Sequence, residues 1–202
     1  MPDIIEGSLL FHFESGSKAL KFDATNWHCH KMKSTLKAMD IVCSSGDEQW
    51  WIEVKGCIGF EDDNRPRLSA SEPDEVSLVR TYLKKQNYDG VVAVSRKKPF
   101  IIDEVYMKFR DTLAGMTAAS RSADSELLAF CAIQDGSKTL KVLLVLTWSG
   151  IDFKRLALRL QDKLNSRLSP FRVVGYVSDG NVELPGQCWS MERVVAGKSM
   201  SV

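Results

Sequence analysis

Short apolar runs and longer amphipathic stretches alternate along the chain, which predicts a protein of mixed α/β class. The short runs are rich in branched and aromatic residues and are bounded by turn-forming residues, as strands usually are. The predicted strands are Ser8–Phe13, Ala19–Phe22, Ala38–Cys43, Trp50–Cys57, Gly90–Ser95, Leu127–Ile133, Leu140–Trp148, Phe171–Val177 and Trp189–Val195. Leu127–Ile133 and Leu140–Trp148 are continuously apolar, which is typical of strands buried on both faces.

Three longer stretches have apolar residues at helical spacing, and they are Asp74–Gln86, Ile102–Ala119 and Asp152–Leu168. The order of strands and helices predicts one mixed β-sheet flanked by helices. No linker or internal repeat interrupts the pattern, so we expect residues 1–202 to form a single domain.

The segment from Ala38 to Cys57 predicts a β-hairpin with its turn at Ser44–Gln49. Its apolar arms carry three charges: Asp40 in the first arm, and Glu53 and Lys55 in the second. Because side chains alternate across a strand, Glu53 and Lys55 point to one face, and Asp40 can lie opposite them. Two carboxylates in apolar surroundings repel each other unless a cation lies nearby.

A divalent cation between these carboxylates is one interpretation of the pattern. Oxygen ligands with open water positions suit Mg²⁺ or Mn²⁺, and an adjacent lysine can orient or deprotonate water or stabilise charge on a phosphate. The alternative is a salt-bridged hairpin with Glu53 and Lys55 in solvent, and the spacing does not choose between the two. An acid-x-Lys triplet is weak by itself, because a second one, Asp152-Phe153-Lys154, occurs at a predicted helix start.

Composition narrows the class of protein only slightly. The net charge of +1 over 202 residues gives no general basic field, so a nucleic-acid partner would have to bind a local patch. Five cysteines without a CxxC pair indicate reduced thiols. The N-terminus lacks the basic residues of a signal peptide and no apolar run is long enough to span a bilayer, so we expect a cytoplasmic protein with no membrane partner.

Asp40 followed by Glu53-Val54-Lys55 resembles the bipartite motif of the PD-(D/E)XK, or restriction-endonuclease-like, superfamily of nucleases, with Met39 in place of the proline. Four segments are in addition similar to a group of bacterial proteins of this superfamily that have no assigned substrate. These segments are Lys21–Asp23, Lys37–Asp40, Ile52–Lys55 and Lys108–Leu113, so the similarity covers roughly residues 5 to 120. Gly56 and Cys57 differ from the Asp and Arg that many members have after the lysine.

The resemblance implies a restriction-endonuclease-like mixed sheet flanked by helices and a Mg²⁺ (or Mn²⁺) site. Carried over by position, Asp40 and Glu53 would bind the metal together with the backbone carbonyl of Val54. Lys55 would be the catalytic lysine.

The resemblance also implies that an upstream acid joins the metal site. Glu6, Glu14 and Asp23 are candidates, and Asp23 or Glu6 is favoured. Lys108 would approach the site as a phosphate contact, or would belong to a solvated helix face with Asp111 and Thr112.

Other polar patterns carry less weight. His28-Cys29-His30 makes a poor zinc site, because neighbouring residues of a strand face opposite sides. Arg65, Arg67 and the basic trio 96–98 are either phosphate contacts or parts of solvated loops. Trp50 and Trp51 could stack a base, although a buried hairpin requires at least one of them in the core.

The leading hypothesis is a Mg²⁺-dependent nuclease that hydrolyses phosphodiester bonds, in DNA rather than RNA. The resemblance is also compatible with a homodimer of this chain. A second hypothesis is a catalytically silent protein of the same fold that binds nucleic acid or protein. A third is a phosphodiesterase acting on a small molecule. The nuclease hypothesis requires Asp40, Glu53 and Lys55 to converge in a cleft at one sheet edge.

Overall fold

The computed structural model of the protein describes residues 3–96, 98–148 and 152–194, except for the side chains of residues 132–135. Within these ranges the strands are β1 (Asp3–Glu6), β2 (Leu9–Phe13), β3 (Lys18–Lys21), β4 (Ile41–Ser45), β5 (Glu48–Gly56), β6 (Thr139–Thr147), β7 (Val174–Ser178) and β8 (Trp189–Arg193). The α-helices are α1 (Glu61–Asn64), α2 (Asp74–Lys85), α3 (Ile101–Arg121) and α4 (Phe153–Leu168). No helix in the described ranges is long and apolar enough to cross a bilayer.

Two β-sheets form the framework, so the prediction of mixed α/β class is confirmed. The prediction of one sheet is wrong, because β1, β2 and β8 form a sheet of their own. The larger sheet has the order β3-β4-β5-β6-β7, with antiparallel pairing from β3 to β5 and parallel pairing from β5 to β7. The smaller sheet is antiparallel and has the order β1-β2-β8. β1 extends the β-structure toward the N-terminus beyond the strands that the sequence predicts.

Side-chain alternation along β5 divides the core into two layers. Trp50, Ile52 and Val54 pack in one buried cluster with residues of β2 and β8. Trp51 faces the other way and packs against Phe109 of α3, with ring centroids 5.4 Å apart. Both tryptophans are completely buried, so neither offers a surface on which a base could stack.

The predicted hairpin forms, with a shorter turn than the sequence indicated. Ser45 pairs with Glu48, which leaves only Gly46 and Asp47 in the turn. Gly46 has φ +52°, a left-handed conformation that glycine adopts without strain at the first position of a tight hairpin turn.

Two predicted strands are wrong. Leu127–Ile133 lies mainly in a 3₁₀ helix, Leu128–Asp135, because Leu127, Phe130 and Cys131 are buried at helical spacing against the core that contains α3. Gly90–Ser95 is not a strand, since Val91 and Val92 donate to the carbonyl of Tyr88 in a turn and remain exposed. Both runs are short, and apolar content alone does not separate a strand from a helix or turn at that length.

The helices and the remaining strands follow the predicted pattern. β6 is buried on both faces, as its continuous apolar run indicates. α4 connects β6 to the parallel strand β7, and Asn165 of α4 exchanges two hydrogen bonds with the backbone of Gly175 at 2.8 and 3.0 Å. β8 ends at Arg193, and residue 195 of the predicted edge strand lies outside the described residues.

Candidate functional site

Asp40 lies immediately before β4, where backbone hydrogen bonds hold it from both sides. Its amide donates to the carbonyl of Ile52 at 3.1 Å, and its carbonyl accepts from the amide of Phe22 at 2.9 Å. The side-chain Oδ2 accepts from the amide of Val54 at 2.8 Å. These contacts fix the carboxylate beside the second arm of the hairpin. The Val54 group in contact with Asp40 is therefore the amide, whereas the resemblance implied a role for its carbonyl.

One face of α3 holds the chain that leads into Asp40. Asp111 Oδ2 accepts from the amide of Lys37 and Thr112 Oγ1 from the amide of Met39, both at 2.9 Å. Lys108, one turn earlier, places its Nζ 3.0 Å from Asp40 Oδ1. The alternative of a solvated helix face for these three residues is wrong, because all three contact the segment before β4.

Glu53 is a completely buried carboxylate on the helix-facing side of β5. Its Oε1 lies 2.6 Å from the Nζ of Lys108 and 2.7 Å from the Nζ of Lys55. In the described part of the chain, no hydrogen-bond donor reaches Oε2. Lys108 therefore contacts both acids, while Lys55 contacts Glu53 from the same strand.

Glu104 of α3 and Arg67 extend this cluster. Glu104 Oε1 lies 2.7 Å from Lys55 Nζ, and Glu104 Oε2 pairs with the guanidinium of Arg67. The Arg67 side chain is only 12% exposed, so Arg67 does not belong to a solvated loop. Sequence reasoning missed Glu104, although its position four residues before Lys108 on an amphipathic helix was an available signal.

Burial and neighbouring charges shift the pKa values of the clustered side chains in opposite directions. Burial, reinforced by the Asp40 carboxylate, raises the pKa of Glu53 to about 7, against the effect of Lys55 and Lys108. Burial lowers the pKa of Lys108, but the attraction of Glu53 and Asp40 outweighs it and the net shift is upward. The pKa of Lys55 is likewise raised, because Glu53 and Glu104 outweigh burial and the repulsion of Lys108.

The upstream acids lie in different surroundings. Burial raises the pKa of Asp23, which is close enough to Asp40 and Lys108 to be shifted by both charges, and its buried Oδ1 has no partner among the described residues. Glu6 pairs with Lys21 instead, at 2.6 Å. Glu14 is exposed. Of the three acids, Asp23 is therefore the one whose pKa responds to the charges of Asp40 and Lys108.

The residues fit a single cation between Asp40 and Glu53. The Nζ of Lys108 already contacts an oxygen of each carboxylate, so the two acids are spaced for one shared positive charge. The unpartnered Oε2 of Glu53 adds a free oxygen donor. The described residues contain no group of three or more His, Cys, Asp or Glu arranged as a complete ligand set. A metal here would therefore rely on water or substrate for its other ligands.

Two other polar signals of the sequence contact the backbone of neighbouring segments. The two ring nitrogens of the buried His28 lie 3.0 and 3.3 Å from the backbone carbonyl oxygens of Asp23 and Leu36. Arg96 donates to the backbone carbonyls of Pro66, Ser69 and Ala70. These contacts give both side chains structural roles.

The raised pKa of Glu53 predicts a specific dependence of stability on pH. Between its ordinary value of 4.5 and about 7, folded Glu53 keeps a proton that the unfolded chain has released, so the free energy of unfolding falls as pH rises. In metal-free buffer we expect the wild type to lose about 3 kcal/mol more than Glu53→Gln across this range, measured by urea denaturation. Parallel pH profiles for the two proteins would contradict the assignment.

Removing Lys108 should leave two buried carboxylates without their shared cation. We expect Lys108→Met to lower the free energy of unfolding at pH 8 by about 3 kcal/mol, and Asp40→Asn in the same chain to restore much of that loss. Lys154→Met, which changes an exposed lysine of α4, is the matched control and should have little effect. Additive losses in the double variant would show that Lys108 and Asp40 do not interact.

Comparisons with known proteins do not assign this site to a family. No protein-family model matches the chain, and searches of curated proteins and of solved structures find no match. The function must therefore be inferred from the residues of the cluster and their surroundings.

Proposed function

We propose that the protein is a metal-dependent nuclease with a restriction-endonuclease-like fold. One observation carries the proposal: Asp40 and Glu53 both contact a single cationic group, and the Lys55 ammonium contacts the same oxygen of Glu53. Two acids and a lysine meeting at one point are the groups that metal-assisted phosphodiester hydrolysis needs. Asp40 immediately precedes β4, and Glu53 and Lys55 lie in the adjacent β5, which supports the proposal because the superfamily motif implies acids on two neighbouring strands.

In this proposal Asp40 and Glu53 hold Mg²⁺ or Mn²⁺, and Asp23 is available as an additional acid. The metal would stabilise the negative charge that develops on the phosphate. Glu53 contributes a fully buried carboxylate, which strengthens its attraction for a cation because little water screens it. The fixed backbone of Asp40 keeps the two carboxylates in place before substrate binds.

Lys55 would act as a positively charged donor. Its Nζ is held at 2.7 Å from both Glu53 and Glu104, contacts that favour the ammonium form. An ammonium group can orient the attacking water or stabilise the phosphate, but it has no lone pair with which to remove a proton. The ion pair between Glu104 and Arg67 holds Glu104 in the position that fixes Lys55.

Lys108 would change partners when the carboxylates hold a divalent cation. Its Nζ would then lose the contacts with Asp40 and Glu53, since it occupies the region between them. The freed ammonium would remain within a side-chain length of the site and could contact a phosphate. In the absence of metal, the Lys108 ammonium thus offsets the negative charges of Asp40 and Glu53.

A basic cavity, lined in part by residues that adjoin the charged cluster in sequence, favours a nucleic-acid substrate over a small phosphodiester. The cavity has a volume of about 860 Å³, and its lining includes Arg65, Arg155, Arg159 and Trp148. Two lining residues adjoin the cluster in sequence. Arg65 lies in the same 3₁₀ turn as Arg67. Trp148 directly follows Thr147, whose hydroxyl donates to the carbonyl of Lys55 at 3.3 Å. Arginines bind backbone phosphates and a tryptophan can stack a base, whereas Asp152 is the single acid among the described residues of the lining.

A catalytically silent interaction protein is the second candidate, and the charge balance of the cluster favours it. The carboxylates of Asp40, Glu53 and Glu104 meet an equal number of cations, Lys55, Lys108 and Arg67. When Glu53 is ionised, this network is electrically neutral without a metal and could serve folding alone.

Cleavage of labelled single- and double-stranded DNA and RNA tests the nuclease proposal. With Mg²⁺ or Mn²⁺ we expect cleavage that EDTA abolishes, and Lys55→Ala and Glu53→Gln should each reduce the rate at least about 100-fold, because each removes a group that acts at the reacting phosphate. The assay also identifies the preferred polymer, for which DNA is the expectation.

Lys154→Ala is the matched control for this assay, since Lys154 belongs to the chain's other acid-x-Lys triplet and is exposed on α4. It should cleave like the wild type. Cleavage that persists in Lys55→Ala would identify a contaminating nuclease. Metal binding without cleavage of any polymer would favour the silent protein, and loss of binding in Asp40→Asn would still locate the metal.

Binding of a labelled oligonucleotide in EDTA tests the basic cavity separately from catalysis. We expect the double variant Arg65→Ala/Arg155→Ala to weaken binding and to reduce the slope of log affinity against log salt by about 2, one for each lost phosphate contact. Arg193→Ala, on β8 of the small sheet, is the control and should leave the slope unchanged. An unchanged slope in the double variant would exclude the cavity as the binding surface.

A further inference from the structure

α2 is the most exposed helix among those described. None of its residues is buried, and its direct side-chain bonds to neighbouring loops come from Arg80, which pairs with Glu72 and donates to the carbonyl of Val94 at 2.8 Å. Val76 and Leu83 are partly buried on its inner side. The outer side carries Leu78 and Tyr82, which are 69% and 62% exposed. Two large apolar side chains that are exposed on neighbouring turns of one helix indicate an interaction surface.

The outer side has a regular order of residue types. Glu75, Leu78, Tyr82 and Lys85 follow one another at spacings of three, four and three residues, so they form one stripe along the helix. All four are exposed. The stripe begins with an acid, has two apolar residues in the middle and ends with a base.

Two copies of this stripe are complementary when one of them runs in the opposite direction. In an antiparallel pair of α2 helices related by a two-fold axis level with position 80, Glu75 lies opposite the partner's Lys85, and Leu78 lies opposite the partner's Tyr82. The same contacts repeat on the other side of the axis, as a symmetric homodimer requires. Arg80 itself points away from the stripe, toward Glu72 and Val94, so the axis does not bring two arginines together.

We propose that α2 is a homodimerisation helix that pairs antiparallel with α2 of a second copy through this stripe. Leu78 and Tyr82 supply the apolar centre, and the Glu75–Lys85 pairs fix the antiparallel direction at both ends. Val79 and Thr81 flank the centre opposite each other and bring no charge into it. Antiparallel helices also align their dipoles favourably. The inference rests on α2 alone and holds whether or not the charged cluster is a nuclease site.

Sedimentation velocity between about 5 and 500 µM protein tests the pairing, because a contact of this size belongs with the weaker interfaces. We expect a concentration-dependent dimer in the wild type. Glu75→Lys and Lys85→Glu should each raise the dimer dissociation constant about tenfold or more, since each places like charges at two symmetric contacts. The double charge reversal Glu75→Lys/Lys85→Glu should restore dimerisation, and so should mixing the two single variants.

Restoration by charge reversal distinguishes this pairing from a folding defect, and circular dichroism checks that the variants keep their helix content. Leu78→Ser/Tyr82→Ser should abolish the dimer, while Leu158→Ser, which changes a leucine of α4 that is 58% exposed, should not. A protein that stays monomeric throughout the range overturns the proposal and assigns the stripe to a different partner. A dimer that survives both Glu75→Lys and Leu78→Ser/Tyr82→Ser places the interface elsewhere and overturns it as well.

Discussion

Glu53 places a carboxyl group in the centre of the protein, and the cations that compensate its charge come from two different elements. The carboxylate has no exposed surface, and it lies in the strand that forms the middle of the larger sheet. Burying a carboxylate is unfavourable unless cations and donors approach closely. Lys55 comes from the same strand, and Lys108 comes from α3. Lys108 can therefore compensate the charge of Glu53 only when α3 and the hairpin pack in one particular register.

The same helix links stability to the geometry of the site. Asp111 and Thr112 of α3 bind the backbone before β4, and Lys108 binds the Asp40 side chain that this backbone carries. Phe109, on the same turns, packs on Trp51 of β5. Contacts that stabilise the fold are thus the contacts that hold the two acids together, so the site is preorganised by the core rather than by a mobile loop.

The chain between β5 and α3 adds peripheral features to this rigid centre. It supplies Arg67 to the charged cluster and Arg65 to the basic cavity. It then forms α2, which has no buried residue and leaves the side chains of Leu78 and Tyr82 exposed. The segment between β5 and α3 therefore contributes an arginine to the charged cluster and an exposed helix at the surface, and neither requires a change in the core.

The sequence by itself determined the features that depend on neighbouring residues. Alternation along β5 placed Glu53 and Lys55 on one face, and the helical spacing of apolar residues in Ile102–Ala119 marked α3. Only the tertiary structure decided that Glu104 and Arg67 join the cluster, that Lys108 bridges Asp40 and Glu53, and that the apolar run at 127–133 is helical. Periodicity is local and can be read along the chain, whereas the choice of a partner for a buried charge depends on packing between segments far apart in sequence.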